Sequence, residues 1–339
     1  MADDAVLVTG AGGFIGSHLS ETLLRNGRSV RALDLNLDRI RHLSGTPELG
    51  FVTADIRDAS AASEAVRGVS TVFHLAAAHL GAATPEIEFH GVNVDATRSL
   101  ASMARKAGVQ RFVHCSSVGV FGKIESPPAD ESTTCRPELP YEKTKLEGEQ
   151  VVLQEAREGD MSAIVLRPVW VYGPGCGRTE KLFRAIGRGR FVVAGRGETL
   201  RHCIYIRDMV EAFLLAETSR KAVGEILIVG DRKATTVRDL VDRIARLTGG
   251  KPPLSVPLGL LWAAAVTAEA TFLPLGKEPP ISRRSLRFFT GNTSFSTERA
   301  RSLLGFEPRY DLTTGLAETY DLIGKATADS GMDRSSSRS

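Results

Sequence analysis

The tightest constraint on this chain is a glycine-rich turn, Gly10-Ala-Gly-Gly13-Phe-Ile-Gly16, set between an apolar run, Val6-Leu-Val-Thr, and a helix-length segment, Ser17 to Arg25. Only glycine accepts positive φ freely and lets a second backbone come close. A strand that turns at once into a helix here needs a tight bend at Gly10, open backbone at Gly13 and close helix-on-strand packing at Gly16. The unpaired N–H groups and positive dipole end of the helix then face a place suited to the pyrophosphate of a dinucleotide. Phe14 and Ile15, within the turn, belong to the same candidate cofactor site.

Asp34 closes the next apolar run, 18 residues after Gly16. A carboxylate there can accept hydrogen bonds from both hydroxyls of an adenosine ribose, and its charge repels a 2′-phosphate. NAD rather than NADP is the expected cofactor. Strand-end aspartates are elsewhere mostly turn formers; the glycine turn upstream favours the cofactor role.

Short apolar runs alternate with helical segments through the first half of the chain. Val6 to Val8, Ser29 to Leu33, Gly50 to Val52, Thr71 to His74, Arg111 to His114 and Ala163 to Leu166 read as strands, with helices at Ala61 to Val66, Val94 to Ala107 and Tyr141 to Ala156. That rhythm predicts the α/β class, with a doubly wound parallel sheet of Rossmann type. Beyond Tyr172 the composition shifts to Gly, Arg and Pro until two further runs, His202 to Ile206 and Glu225 to Val229, which are candidates to rejoin the sheet. The expected organisation is a Rossmann domain over 1–172, a smaller interleaved substrate-binding region over 173–325 and a disordered polar tail over 326–339.

The formal charge of +3 is small for 339 residues and the basic residues are dispersed, which argues against nucleic acid as a partner. Four cysteines without metal-ligand spacing read as reduced thiols, and the acidic start Met1-Ala-Asp-Asp offers no export signal, so a cytoplasmic location is expected. His74, His79, His90 and His114 form no metal-ligand pattern and are read as structural or pocket-lining, with no metal expected. The most apolar stretch, Leu258 to Ala268, is too short for a membrane span.

Tyr141-Glu-Lys-Thr-Lys145 opens a helix just after Pro140, which puts the tyrosine and the lysine on one face. A phenol is a poor base at neutral pH unless a cation lies beside it. Bringing it from near 10 to near 7 takes about 4 kcal/mol, and one positive charge about 5 Å away gives about 3 kcal/mol at an effective dielectric of 20. Lys145 together with the positive ring of NAD would suffice. Val113-His-Cys-Ser-Ser117 ends a strand at the ligand-binding edge of an open sheet, where a hydroxyl can hold a substrate oxygen.

With those residues in place, the chain resembles the extended short-chain dehydrogenases/reductases, the group of NAD-dependent epimerases and dehydratases that also holds the 3β-hydroxysteroid dehydrogenases. The resemblance runs from Val6 to about Tyr320. It is carried by Thr9 to Gly16, Asp55-Ile-Arg-Asp58, Phe73-His-Leu-Ala-Ala77, Asn93-Val94, Ser116-Ser117, Tyr141 to Lys145, Leu166-Arg-Pro168, Val171-Tyr-Gly-Pro174 and Tyr205-Ile-Arg-Asp208. It implies that Asp55 and Ile56 flank the adenine, that Ala76 and Ala77 line the cofactor cleft, and that the stretch from Arg167, Pro168 included, passes near the nicotinamide. It also implies that Ser117 is the catalytic hydroxyl rather than Ser116, since it stands four residues before Phe121, where the group commonly has tyrosine. Arg201 resembles the arginine that nucleotide-sugar members set against a diphosphate; a plain surface charge is the competing account.

The departures narrow the choice. Dehydratases of the group carry an Asp-Glu pair after the catalytic hydroxyl, whereas Val118 and Gly119 follow Ser117 and cannot do acid–base work. Trp170 stands where many nucleotide-sugar members have a diphosphate-binding asparagine, and a large apolar ring suits a less polar substrate. Residues 254–275 resemble the apolar helix of the steroid dehydrogenases; a core helix of the small domain is one account, an apolar lid or peripheral membrane contact the other. The expected activity is NAD-dependent interconversion of a secondary alcohol and a ketone on a ring substrate by Tyr141, Lys145 and Ser117. A nucleotide-sugar epimerase with retained NAD is the alternative, a non-catalytic NAD-binding regulator the third reading, and a homodimer the expected assembly.

Overall fold

The computed structural model describes residues 5–78, 84–272, 275, 279 and 281–336, which leaves His79 outside the described residues. In chain order the strands are β1 (Val6–Thr9), β2 (Val30–Asp34), β3 (Leu49–Thr53), β4 (Thr71–His74), β5 (Arg111–Cys115), β6 (Ser162–Pro168), β7 (Trp170–Tyr172), β8 (Val192–Ala194), β9 (Leu200–Arg201), β10 (Cys203–Tyr205), β11 (Ile226–Val229), β12 (Thr235–Thr236) and β13 (Leu254–Val256). The helices are α1 (Phe14–Arg25), α2 (Ala59–Ala65), α3 (Glu86–His90), α4 (Thr97–Lys106), α5 (Pro140–Arg157), α6 (Gly177–Gly187), α7 (Ile206–Thr218), α8 (Val237–Thr248), α9 (Leu258–Phe272), α10 (Arg283–Leu286), α11 (Glu298–Leu304) and α12 (Leu312–Ser336).

Seven strands make one parallel sheet in the order β11-β6-β5-β4-β1-β2-β3. Alternate residues of the central strand β1 feed separate cores: Val6 and Val8 join the one that includes α1 and α7, while Leu7 joins the one that includes α2 and α4. Burial on both faces is why the inner strands read as unbroken apolar runs. The fold is the doubly wound α/β sheet that the strand–helix rhythm predicts.

All six runs read as strands from the sequence lie in this sheet, and Ile226–Val229 returns to it beside β6. The His202 to Ile206 run does not. The outer edge of β6 is taken by β11, so β10 pairs instead with β7 in a separate parallel ribbon, Cys203 opposite Trp170. Helix α12 spans Leu312 to Ser336. Helix α9, within the apolar segment expected as a core helix, is not one, since Leu261 and Ala265 are its buried positions.

Two fully buried histidines face each other beneath α4 and α5, His74 and His114, with ring centroids 5.3 Å apart. His74 Nδ1 and Nε2 bond the hydroxyls of Thr9 and Thr97 at 2.7 and 2.9 Å, and neither ring nitrogen of His114 has a partner among the described residues. Burial, helped by the nearby Lys145 charge, lowers His74 from 6.5 to about 3 and depresses His114 as well. The unfolded chain takes up protons below about 6.5 that the native rings refuse, so their contribution is full above that pH and is lost as pH falls toward 3. By pH 5 the His74 ring should cost about 2 kcal/mol, and the depressed His114 ring acts in the same direction. Urea unfolding at pH 7.5 and pH 5 should show His114→Phe losing less stability than the wild type across that interval; identical losses would contradict the assignment.

Candidate active site

Because β1 lies between β2 and β4, the chain winds away from it in both directions, and the ligand crevice of such a sheet opens beyond the strand ends at that point. Gly10 sits there with φ +70°, and a Cβ on it would stand 2.7 Å from the Ala76 nitrogen. At Gly16 a Cβ would lie 2.1 Å from the Gly10 carbonyl oxygen, so α1 can pack this closely on the turn only with glycine. Gly13 caps α1, whose first turn has no side-chain cap and no acidic residue, leaving its dipole end to an anion.

Gly12 is the position that the glycine spacing alone passes over. A Cβ there would be 1.7 Å from the Asn36 carbonyl oxygen, and its N–H donates to Asp34 Oδ2 at 3.0 Å. Asn36 N–H donates to the other carboxylate oxygen at 3.2 Å, so Asp34 is held against the glycine turn. The consecutive glycines at 12 and 13 were the available signal. Next along the same edge come Asp55, paired with Arg57 and held below the usual carboxylate range by it, and the buried Ile56. Ala76, whose N–H reaches Thr9 Oγ1 at 3.3 Å, and the exposed Ala77 follow β4, and Pro168 ends β6. A Cβ-free turn, a helix without a side-chain cap and a carboxylate held beside the turn fit NAD.

The second group of candidates sits on α5 and on the loop after β5. Pro140 is the first residue of α5, and the Glu142 carboxylate reaches back to accept from Glu138 and Leu139 N–H at 2.9 and 3.0 Å, which fixes where the helix begins. Gly148 lets α5 press on the preceding layer, since a Cβ there would lie 2.7 Å from the Asn93 carbonyl oxygen. Tyr141 and Lys145 follow one turn apart. Ser117 Oγ accepts from Gly119 N–H at 3.0 Å, which leaves its O–H to donate. A Cβ on Gly119 would be 3.3 Å from both Ser117 Oγ and Glu142 Cγ, so the hydroxyl and the first turn of α5 are neighbours.

Lys145 is 2% exposed, and its Nζ donates to the Cys115 carbonyl oxygen at 2.6 Å. Burial lowers its ammonium and pushes the Tyr141 phenol up to about 12, where Cys115 adds to the rise and Arg178 opposes it. The direction is opposite to the one that a lysine partner alone would give, because spacing reports the cation but not the loss of water. Arg178, in the first turn of α6, is a cation that the sequence reading did not consider.

A buried network beneath these groups was also missed. Arg167 Nε and Nη2 donate to the two carboxylate oxygens of Glu149 at 2.9 and 2.6 Å, and Ser116 Oγ donates to the same carboxylate. Glu149 lies four residues after Lys145 on α5, and that spacing was the signal that it shares the face. Of the two residues expected at the substrate, Trp170 meets Phe288 edge to face at 6.0 Å. Arg201 is buried: its Nη1 donates to Leu200 O at 2.8 Å, Gly291 O at 2.7 Å and Thr293 Oγ1 at 3.3 Å, and its Nη2 to Arg287 O at 2.7 Å and to Phe288 O.

Comparison with known proteins places this geometry. The sequence model described as the NAD dependent epimerase/dehydratase family matches residues 6–230. The chain belongs to that family. It is an enzyme, and its cofactor is NAD. It is 28% identical to N-acetyl-alpha-D-glucosaminyl-diphospho-ditrans,octacis-undecaprenol 4-epimerase of Escherichia coli O157:H7, covering 95% of this chain and 96% of that one. It is 29% identical to 3-beta-hydroxysteroid dehydrogenase of Mycolicibacterium neoaurum, covering 92% and 89%. Among solved structures it resembles MoeE5 in complex with UDP-glucose and NAD, with a TM-score of 0.76 and 31% identity over 95% of this chain and 99% of that chain.

For this epimerase/dehydratase family member the glycine turn gives a sharp expectation. Gly12→Ala should weaken NAD binding by about tenfold or more, because the Cβ must displace backbone at Asn36, while Gly50→Ala, with open space around it, should leave it unchanged. Calorimetric titration with NAD checks this, and an unaltered affinity in Gly12→Ala would contradict it.

Proposed function

We propose that this enzyme oxidises a secondary alcohol to a ketone on a largely apolar ring substrate, reversibly, with the region from 173 supplying much of the substrate side. The observation that carries the reading is the engagement of Arg201. Its guanidinium, lowered to about 10 by burial, serves five acceptors, four of them on the 287–293 turn, and the turn in turn sets Phe288 against Trp170. A diphosphate needs free cationic partners; the ring faces of a steroid- or terpenoid-like alcohol need an apolar wall.

Bound NAD supplies the hydride acceptor and a positive charge. Tyr141 takes the substrate hydroxyl proton on its phenolic oxygen, and Ser117 holds the same substrate oxygen by hydrogen bonding. Moving the phenol from about 12 to near 7 takes about 7 kcal/mol, more than the roughly 3 kcal/mol of one cation about 5 Å away. Lys145 therefore acts with a second positive charge. Asp34 holds the adenosine ribose and disfavours a 2′-phosphate. The epimerase reading, with NAD retained, is supported by the relatives named for undecaprenol-linked and UDP-linked sugars.

Absorbance at 340 nm with NAD should report reduction with a 3β-hydroxysteroid or a terpenoid ring alcohol, and calorimetry should detect no binding of UDP-glucose at about 1 mM. Micromolar UDP-glucose binding without alcohol oxidation would favour the epimerase. Tyr141→Phe should lose turnover by about a hundredfold or more while binding NAD as the wild type does; a near-normal rate would remove the phenol from the mechanism.

A further inference from the structure

Helix α9 is apolar around its circumference: residues 258–266, Leu-Gly-Leu-Leu-Trp-Ala-Ala-Ala-Val, hold no charged side chain and a single side-chain hydrogen-bonding group, the indole N–H of Trp262. Leu261 and Ala265 pack inward against Ala194 and Leu286. The rest of 258–266 faces solvent, with Leu260 64% and Trp262 54% exposed, and Leu254 and Leu275 outside the helix are exposed as well. Helices of this composition belong in a core or in lipid, and a contiguous exposed apolar patch marks an interaction surface. At 15 residues α9 is too short to cross a bilayer.

The surroundings are basic. Residues 251–290 carry five Lys and Arg against two Glu, a net charge equal to the +3 of the whole chain, and one of those glutamates, Glu269, is paired with Arg283. Exposed Arg188, Arg190 and Arg196 flank β8, whose partner β13 leads into α9. We propose that α9 and its basic surround dock the enzyme on an anionic lipid surface. A two-fold contact between copies would set like charges against each other, and a protein partner would call for hydrogen-bonding groups that residues 258–266 lack apart from the Trp262 indole. A bilayer calls for none, favours Trp at its interface and attracts the arginines.

The patch also leads to the candidate site. Phe289 packs on the α9 cluster, Phe288 meets it at 5.3 Å, and Phe288 lies on Trp170. An alcohol dissolved in lipid would thus reach the Trp170 wall along apolar side chains. The docking surface does not rest on the ring-alcohol reading and is tested without turnover.

The chain has two tryptophans, so Trp170→Phe leaves Trp262 as the sole indole reporter. With vesicles of phosphatidylcholine containing about 30% phosphatidylglycerol, its emission should shift to the blue and the protein should sediment with the vesicles, both reversed by about 0.5 M salt. Adding Leu260→Glu, an exposed change, should cut the bound fraction about fivefold. No sedimentation at low salt, equal binding to pure phosphatidylcholine, or a blue shift that follows protein concentration without vesicles would each overturn the proposal, the last in favour of a second copy.

Discussion

Glu149 and Arg167 form the buried clasp on which the rest of the site depends. Both side chains are almost without solvent, and each charge is met by the other through two hydrogen bonds, with Ser116 adding a third to the carboxylate. Replacing such a pair by apolar residues can leave stability unchanged or improved, so its value here is register rather than energy. It ties α5 to β6 and to the end of β5. Lys145, one turn earlier, makes the companion tie to the Cys115 carbonyl. Tyr141 and Ser117 are each one short step along the chain from these fastened points, so their mutual placement follows from the clasp.

The cofactor side rests on a different constraint, the absence of side chains. Gly10, Gly12 and Gly16 stand where a single methyl group would meet backbone, and the crevice at β1 has its shape because those atoms are missing. The aromatic contact at Trp170 is built by distant residues: Arg201 gathers the carbonyls of 287–291, and that turn brings Phe288 to Trp170. One edge of a rigid sheet thus meets a polar turn made for NAD and an aromatic wall.

Much of this was legible in the residue order. All of the six N-terminal strands but the exposed edge strand β3 are short apolar runs buried on both faces, and the glycine turn admits few conformations, so most of the sheet and the glycine turn follow from local sequence. What was not legible depends on long-range packing. Nothing near His202 says that β11 already occupies the edge of β6, so the return of β10 to the sheet could not be rejected. Glu149 and Arg167 lie 18 residues apart on different elements. The pattern marks Arg201 as a cation in the right region, but its partners lie about 90 residues further on. The tyrosine–lysine spacing shows a shared face, while the rise of the Tyr141 phenol comes from burial, which spacing does not report.

If the clasp sets the register of Tyr141 and Ser117, loosening it should harm chemistry more than binding. The direct measurement is single-turnover hydride transfer by Glu149→Gln with NAD saturating, well below the melting temperature of the variant and with the best alcohol substrate. The account predicts a fall of about tenfold or more in that rate with NAD affinity unchanged. A rate within about twofold of the wild type would contradict it.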